Sequence, residues 1–479
     1  MGRIDFVWLG LAAALGACNS APPEPPPPDL EQAPGWADAL RLPELADQDP
    51  DPAVFEADLS AKRVPIDYLG GKPTIVWSFE GSVPGPLIRV PRGARVIVRF
   101  HNQLEVPTTI HWHGVRLDNA MDGVPEHSQP EVPPGGSFTY DFSVPDAGLF
   151  WYHPHVSSAA QVGFGLYGAL LVEDSAEPAE LGEELVIVLS DMAVNDDGQL
   201  QAPDSGGDLA TLFGREGQLI LVNGKIKPTI HVRPGTRLRL RVLNAAKSRY
   251  FQLALAAHSF LEIGSDGGLM SAPRSLERPV LGPAERADLL LNVARTPGAN
   301  YPLRWVPFDR GYGSTEFRTE EVIAQISVEG EELVPKALPT ITRSIAPLPT
   351  TDAEPIALRL TQSATTGVLQ LGINDVPSWR ATPLLAKVGA TQVFTIDNEM
   401  DWAHPFHLHG FFFQVLRADG SPELPLAWKD TVQVPVKGRV KLVVRYDDRP
   451  GMWMFHCHVL DHADAGMMGM INLEADHGH

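Results

Sequence analysis

The chain has 479 residues, a length that predicts about three domains of ordinary size. It carries 38 Lys and Arg against 59 Asp and Glu, so its net charge is −21, and no basic run interrupts that negative field. Nucleic-acid binding is therefore excluded. The 44% hydrophobic content excludes wholesale disorder, and the 43 Gly and 44 Pro, spread without a period among alternating apolar residues, favour a turn-rich all-β protein.

The N-terminus has the pattern of an export signal. Residues 6–15 form an apolar run of signal-peptide length, which is too short to span a bilayer. The run leads into Leu-Gly-Ala-Cys, ending at Cys18, and this resembles a bacterial lipobox, in which the cysteine is lipidated and becomes the mature N-terminus. We therefore expect residues 1–18 to be a lipoprotein signal peptide with Cys18 as the lipidation site. The alternative is a plain secretory peptide with an incidental cysteine.

The segment that follows predicts a tether. Residues 19–50 begin with a proline-rich stretch, which favours a stiff, extended chain between the anchor and the folded part. Asn19 follows the cysteine, and in lipoproteins a residue other than Asp there favours the outer membrane. The expected location is the bacterial periplasm, with the protein either lipid-anchored or simply exported. No other run reaches 18 apolar residues, so we expect contact with the membrane through the lipid alone.

A pattern of two alternating strands around a glycine turn occurs three times. It covers residues 86–102 and 228–244, and a weaker copy covers 383–398. The turn glycines lie 142 and 154 residues apart, which is a domain spacing rather than the period of a solenoid. Each copy ends nine residues after its turn glycine at an asparagine: Asn102, Asn244 and Asn398. The repeat predicts three Greek-key β-sandwich domains, at residues 51–178, 179–335 and 336–479.

Ten of the 16 histidines fall into four short clusters. They are His111 and His113; His153 and His155; His404, His407 and His409; and His456, His458 and His462. Because side chains along a strand alternate between its faces, each His-x-His pair places both imidazoles on one face. Two neighbouring metal ions need such an arrangement, and four pairs supply eight ligands.

The pairs occupy equivalent places in the first and third copies of the repeat. His111 and His407 each lie nine residues after the terminal asparagine of their copy. The same offset in the second copy gives Leu253 and Leu255, which cannot bind a metal. We therefore expect a metal cluster between domains one and three, with domain two as a spacer.

Cys457 lies between two of the cluster histidines, His456 and His458, and strand alternation turns its thiol to the opposite face. A cysteine thiolate, two imidazoles and a distant methionine are the ligands of a blue-copper electron-transfer centre. The predicted ligands are His404, Cys457, His462 and Met467. Zinc also binds histidine pairs, but it has no redox use for a cysteine joined to them. The cysteine gives a short covalent path from one metal to the others.

On these residues the chain resembles the three-domain multicopper oxidases of the bacterial laccase and copper-efflux-oxidase kind, over about residues 50–475. It carries the entry motif Gly-Ser-Val-Pro-Gly-Pro at 81–86 and the closing motif at 456–467. The resemblance implies three cupredoxin-like domains and four copper ions. It also implies that one-electron oxidations at a type 1 copper are coupled to four-electron reduction of O2 to water at a trinuclear cluster.

The resemblance also implies which residues bind each copper. The type 1 copper would take His404, Cys457, His462 and the axial Met467. The type 2 copper would take His111 and His407. One type 3 copper would take His113, His153 and His458, and the other His155, His409 and His456. Roles in catalysis fall to Cys457, His456, His458 and Asp122.

Two acids matter for the protons that water formation needs. Asp122 matches an acid near the type 2 copper in the family, although an Asp before Gly is also an ordinary turn residue. Many bacterial members have Glu directly after the type 1 histidine, where this chain has Ala463. We expect Asp464 or solvent to replace that glutamate.

The donor is predicted from what the third domain lacks. No methionine-rich insertion precedes His404, whereas copper-efflux oxidases typically carry one to bind cuprous ion. Its absence favours phenolic or aromatic-amine donors, that is, a laccase-like enzyme. Glu399 and Asp401 could instead attract cuprous or ferrous ion, so a metal oxidase in metal tolerance is the alternative. A non-enzymatic copper-binding periplasmic protein is a third interpretation. We expect a monomer whose partners are a small donor and O2.

Overall fold

The computed structural model describes residues 40–475 apart from 312–313, 316–317, 335–336, 342 and 364–368. Strands make up most of the regular structure in this part of the chain, and its six sheets fall into three successive pairs. The predicted all-β class with three cupredoxin-like β-sandwich domains is confirmed.

The first domain is a sandwich of two four-stranded sheets. Its elements are β1 (Val54–Ile66), β2 (Thr74–Phe79), β3 (Gly85–Pro91), β4 (Arg95–Asn102), β5 (His111–His113), β6 (Ser137–Ser143), β7 (Gly148–His153), α1 (Ser158–Gly163) and β8 (Gly168–Glu173). The sheet orders are β2-β1-β4-β6 and β3-β8-β7-β5. Along β4, alternate residues are buried, as the sequence pattern predicts for a strand with one face on a core.

The second domain pairs a six-stranded with a five-stranded sheet. Its elements are β9 (Glu183–Met192), α2 (Gly207–Phe213), β10 (Leu219–Val222), β11 (Thr229–Val232), β12 (Arg237–Asn244), β13 (Phe251–Leu255), β14 (Phe260–Ser265), β15 (Gly268–Leu276), β16 (Val280–Leu281), β17 (Arg286–Asn292), β18 (Asn300–Val306) and β19 (Glu321–Val328). The sheet orders are β10-β9-β12-β17-β14-β15 and β11-β19-β18-β13-β16.

The third domain pairs two five-stranded sheets. Its elements are β20 (Glu354–Ser363), β21 (Gln370–Ile373), β22 (Leu384–Lys387), β23 (Thr391–Asn398), β24 (His404–Leu408), β25 (Phe413–Leu416), β26 (Thr431–Val434), β27 (Arg439–Arg445), β28 (Gly451–Cys457), α3 (Leu460–Asp464) and β29 (Met468–Glu474). The sheet orders are β21-β20-β23-β27-β25 and β22-β29-β28-β24-β26.

The sequence repeat corresponds to one topology used three times. The first strand of each domain pairs in parallel with the strand that follows the glycine turn: β1 with β4, β9 with β12 and β20 with β23. The strand before that turn pairs in parallel with the last strand of the domain: β3 with β8, β11 with β19 and β22 with β29. The three turn glycines all have a positive φ, between 80° and 89°, which explains why glycine recurs there.

The recurrent asparagine fixes the loop that follows its strand. In the second domain, the Asn244 side-chain amide donates to the carbonyls of Arg249 and Leu281, and its oxygen accepts from the Ala246 N–H. Asn102 and Asn398 make the same three kinds of bond in their own domains. The repeat therefore keeps an asparagine because one amide satisfies three buried main-chain groups.

Apolar packing joins the domains unequally. One continuous core runs through the first and third domains, from Phe100 and Trp112 to Phe406 and Trp453. The second domain has its own core, which contains Leu253 and is separate from that shared core. Domains one and three therefore share a core to which the histidine strands β5, β7, β24 and β28 contribute, and a further apolar cluster, which includes Trp151 and Val188, joins domain one to domain two.

The described part of the chain begins inside the segment predicted to be a tether. Leu40 is 1% exposed and packs in the core of domain two, and its carbonyl accepts from the Asn223 amide. Pro43 accepts from the Leu87 N–H on β3. Residues 40–45 are thus held by the folded domains rather than free, because two leucines there are buried. Cys18 and the predicted signal peptide lie outside the described residues.

Within residues 40–475, none of the described helices is long and apolar enough to cross a membrane.

Candidate copper centres

Strand pairing sets the histidines of each domain beside one another. In the first domain, β5 and β7 pair with His111 opposite His153. In the third, β24 and β28 pair with His407 opposite His456. The eight predicted cluster histidines are buried, except for His155, which is partly exposed.

The two sets of histidines meet face to face between the first and third domains. The rings of His113 and His407 are stacked with centroids 3.7 Å apart, and those of His111 and His409 with centroids 3.9 Å apart. The structure therefore brings all four His-x-His pairs into one buried cluster across this interface, where the sequence predicted a metal site.

Three histidine groups have ligand atoms within 4.8 Å of one another. The groups are His113, His153 and His458; His155, His409 and His456; and His111, His113 and His407. The first two coincide with the sets that the family resemblance implies for the two type 3 coppers. The third contains both predicted type 2 ligands. Because His113 belongs to two of the groups, which copper each residue binds stays a prediction.

Several imidazoles of the cluster bond the protein through one nitrogen and leave the other without a partner. His111, His153, His407 and His456 each donate through Nδ1 to a main-chain carbonyl, at 2.8–3.0 Å. The Nε2 atoms of His111, His153 and His407 are buried and have no hydrogen-bond partner. Buried polar atoms without partners are costly, and a bound metal satisfies them. The residues therefore fit a copper cluster.

The second candidate centre lies on the other face of β28. The Sγ atom of Cys457 is 3.4 Å from Nδ1 of His404 and 3.5 Å from Nδ1 of His462, and the two Nδ1 atoms are 3.2 Å apart. Met467 is fully buried, and its carbonyl accepts from the Cys457 N–H. A triangle of two imidazole nitrogens and a thiolate fits a blue-copper site.

Burial keeps both centres ready for metal. Together with neighbouring imidazoles, it lowers the pKa well below the usual value for His113, His153, His155, His404, His409, His456 and His458. Burial and Arg310 lower the pKa of His462 to about 4. Neutral imidazole is the form that binds a metal. Burial raises the pKa of the Cys457 thiol to about 12, so the thiolate depends on the metal for its stabilisation.

The two acids named from the sequence lie in different places. Asp122 is buried at the cluster, where its Oδ2 accepts from His409 Nδ1 at 2.9 Å and its carbonyl accepts from His111 Nδ1. Asp464 ends α3, and its carboxylate accepts from the Ala159 N–H of α1. Burial raises the pKa of Asp464 to about 6. Their use in proton delivery stays a prediction.

Sequence reasoning missed two charged residues at the cluster. Asp430 accepts from Nε2 of His113 and, through its carbonyl, from Nδ1 of His407. Its carboxylate is bound by both terminal nitrogens of Arg286, which comes from the second domain. Burial opposes the charge of Asp430, but Arg286 outweighs it and holds the pKa of that carboxyl well below its usual range.

A short helix of the second domain covers the cysteine centre. Nε2 of His462 donates to the carbonyl of Leu212 on α2 at 3.0 Å, so this edge of the imidazole does not reach solvent. The next residue, Phe213, packs edge-on against Trp402 of the third domain, with ring centroids 5.1 Å apart. The cover was not predicted, because it comes from an insertion between β9 and β10 rather than from the third domain.

Two centres of this composition, in three cupredoxin-like domains, define a copper oxidase. Residues 60–177, 183–323 and 350–476 each match the multicopper oxidase family. The chain therefore belongs to the multicopper oxidases and is an O2-reducing oxidoreductase that uses copper.

Relatives with established names and structures match along most of the chain. It is 34% identical to multicopper oxidase MmcO of Mycobacterium tuberculosis, over 97% of this chain and 95% of that one. It is 28% identical to a laccase of Bacillus subtilis, over 85% and 91%. Among solved structures, a Campylobacter jejuni multicopper oxidase described as a metallo-oxidase superposes with a TM-score of 0.81 at 28% identity, covering 91% of this chain and 94% of that one.

Proposed function

We propose that this multicopper oxidase takes electrons from phenolic and aromatic-amine donors, as laccases do. When bound, copper supplies the one-electron steps between the donor and O2. The chain's own residues hold the donor-side centre in a buried pocket and join it to the cluster through Cys457, whose neighbours His456 and His458 face the cluster. The donor class rests on the charges around the Cys457 centre.

The observation that carries the proposal is that three acids near this centre are already paired with cations. Glu399 lies 3.2 Å from Arg359, and Asp401 lies 3.1 Å from Lys437. Deeper in, Asp461 lies 2.7 Å from Arg215. A cation that is to be oxidised needs free carboxylates or soft thioethers, and the covering segment 193–218 contains no methionine. Neutral aromatic donors need neither free carboxylates nor thioethers for their binding.

The test is a panel of four donors on fully copper-loaded enzyme: a phenol, an aromatic amine, cuprous ion and ferrous ion. We expect the highest kcat/KM with the phenol or the amine, and no need for added copper. Fast oxidation of cuprous or ferrous ion with negligible phenol turnover would overturn the donor class in favour of a metal oxidase. Copper binding without O2 consumption on any donor would overturn enzymatic function itself.

We further infer that Cys18 is lipidated and holds the enzyme at the outer membrane on the periplasmic side. The support is the lipobox-like sequence and the proline-rich segment that follows it. We expect Cys18→Ala to yield unacylated protein that no longer sediments with membranes. Mass spectrometry of the native N-terminus that shows cleavage elsewhere and no lipid would contradict this location.

A further inference from the structure

The domain without copper ligands reaches the trinuclear cluster through one arginine. Arg286 begins β17 and is 2% exposed. Its Nη1 donates to Oδ1 of Asp430 at 2.7 Å, and its Nη2 donates to Oδ2 of the same carboxylate. This is a buried, two-pronged pair between the second and third domains. Such pairing fixes both position and orientation of the carboxylate.

Hydrogen bonds hold the guanidinium of Arg286 in place on every side. Its Nε donates to the carbonyl of Leu149 in the first domain at 3.0 Å. Nη1 also donates to the Ala284 carbonyl, and Nη2 to the Asp266 carbonyl, each at 3.0 Å. All five N–H donors of the side chain therefore have acceptors. Arg286 links all three domains at a single point.

Asp430, which Arg286 holds, touches predicted ligands of two different coppers through its carboxylate and its main-chain carbonyl. Oδ1 of Asp430 accepts from Nε2 of His113, a predicted type 3 ligand, at 3.1 Å. The main-chain carbonyl of Asp430 accepts from Nδ1 of His407, a predicted type 2 ligand, at 2.9 Å. These contacts leave Nδ1 of His113 and Nε2 of His407 buried and without partners. Asp430 thus determines which nitrogen of each ring faces the metals.

The residue after His113 leaves room for the Arg286–Asp430 pair to lie close to the main chain. Gly114 follows His113 with φ at +83°, and a Cβ there would lie 2.6 Å from both Arg286 Nη2 and Asp430 Oδ2. No other residue type fits without displacing the pair. Thr431 adds a further bond, from Oγ1 to Oδ1 of Asp430 at 2.9 Å.

We propose that Arg286 and Asp430 are positioning residues of the trinuclear cluster, so that the second domain sets the geometry of the type 2 and type 3 coppers. The pair acts through His113 and His407 and does not touch metal or substrate. This inference rests on the multicopper cluster but not on which donor the enzyme oxidises. A domain that only separated the other two would not need to place a fully hydrogen-bonded arginine beside the ligands.

The test compares Asp430→Asn with a matched control on β17, the strand that carries Arg286. Asp430→Asn keeps the shape of the side chain but loses the charge that holds His113 and Arg286. The control is Asp288→Asn, because Asp288 forms a similarly buried pair with Arg239, at 2.6 Å, among residues that contact none of the predicted ligands. For each variant we would record the type 2 EPR spectrum, the type 3 absorption, copper retained against a chelator, the blue band and the thermal midpoint.

We expect Asp430→Asn to change the type 3 absorption, because its carboxylate bonds His113, and to weaken copper retention in the cluster by about 10–100-fold, the usual effect of removing a partner of a metal ligand. The blue band of the Cys457 centre should stay unchanged in the same sample. Asp288→Asn should lower the thermal midpoint and leave every copper signal as in the wild type. The donor plays no part in these readouts, so a wrong donor class would leave the test intact.

The proposal would be overturned if Asp430→Asn lowered only the thermal midpoint, as the control does, while type 2 and type 3 signals and copper retention stayed at wild-type values. If Asp430→Asn does not accumulate as folded protein, Arg286→Lys decides the question. Lysine keeps the charge but loses the two-pronged geometry. The same change in type 3 absorption and copper retention is then expected, and its absence would overturn the proposal.

Discussion

At the scale of single residues, several imidazoles of the cluster bond the protein through one nitrogen and leave the other available for a metal. His111 and His407 give Nδ1 to carbonyls, and His113 gives Nε2 to Asp430. The opposite nitrogens are buried without partners. A ligand of this kind is oriented before the metal arrives, because rotating the ring would break the bond on its other side.

This division predicts the effect of removing one ring. His113→Ala deletes a predicted type 3 ligand and also leaves Asp430 without one of its donors. We expect less copper per chain and a large loss of O2 consumption, while the blue band stays, because the Cys457 centre uses none of the cluster rings. Copper analysis and visible absorption on one sample check this. Loss of the blue band together with the cluster copper would contradict the separation of the two centres.

The histidine ligands were predictable from the sequence and their partners were not. A His-x-His pair is visible because strand alternation has a period of two, whatever the rest of the fold does. Asp430 follows Lys429 in what the sequence shows only as the start of a strand, and Arg286 is 144 residues earlier. Their pairing depends on how three domains dock, which no local pattern encodes.

At the scale of elements, α2 limits which electron donors can reach the Cys457 centre. The helix is anchored by Arg215, which donates to Asp461 of α3 and to the carbonyl of Ser205. Its Leu212 carbonyl bonds the outer nitrogen of His462. A bulky donor therefore cannot touch that imidazole while α2 stays in place.

We expect a Gly-Ser segment of equal length in place of residues 207–213 to raise kcat/KM for bulky phenols several-fold and to change small donors less. The reason is that the substitution exposes the edge of His462 without altering the ligands. Leu209→Ser is the control, because Leu209 is 66% exposed on the same helix and can leave the cover intact. Steady-state kinetics with donors of graded size provides the measurement. An equal or smaller rate for bulky donors in the Gly-Ser variant would show that α2 does not limit access.

The recurrent asparagine gives a stability prediction that is independent of copper. Asn244→Ala removes three hydrogen bonds to buried main-chain groups in the second domain. We expect a loss of about 2 kcal/mol, and so a fall of roughly 6 °C in the transition of that domain. Differential scanning calorimetry would measure it. The blue band should persist below the transition, and a variant with wild-type stability would contradict the role given to this residue.

The repeat also shows where element-level prediction succeeds. The glycine turn and the asparagine identified the same pair of strands in each domain. The turn needs glycine because its φ is positive, and the loop needs asparagine because one side-chain amide makes three hydrogen bonds to the main chain. α2 was not predicted, because its sequence, Gly-Asp-Leu-Ala-Thr-Leu-Phe, is short and has no distinctive helix pattern. Its function comes from the surface on which it lies.

At the scale of the whole molecule, two domains form the cluster and the third holds them in register. The first and third domains share one apolar core, and each supplies four cluster histidines. The second has a core of its own and shares a further apolar cluster with the first, and it contributes Arg286 at the cluster and α2 at the cysteine centre. The prediction of three domains and of a site between the outer two is met by the positions of these residues. The prediction of a mere spacer understates the second domain, because docking contacts are invisible in sequence.

Copper content, colour and turnover of Cys457→Ser show whether Cys457 binds the type 1 copper and passes electrons to the cluster. Cys457 is the thiolate that joins the two centres, and its Sγ faces His404 and His462. Serine stays protonated and is a hard ligand, so the blue band should vanish and about three copper ions rather than four should remain bound. Donor oxidation should fall by orders of magnitude, because electrons lose their entry point while the cluster histidines are intact. If Cys457→Ser kept both its colour and its turnover, the type 1 assignment and the electron path through β28 would be wrong.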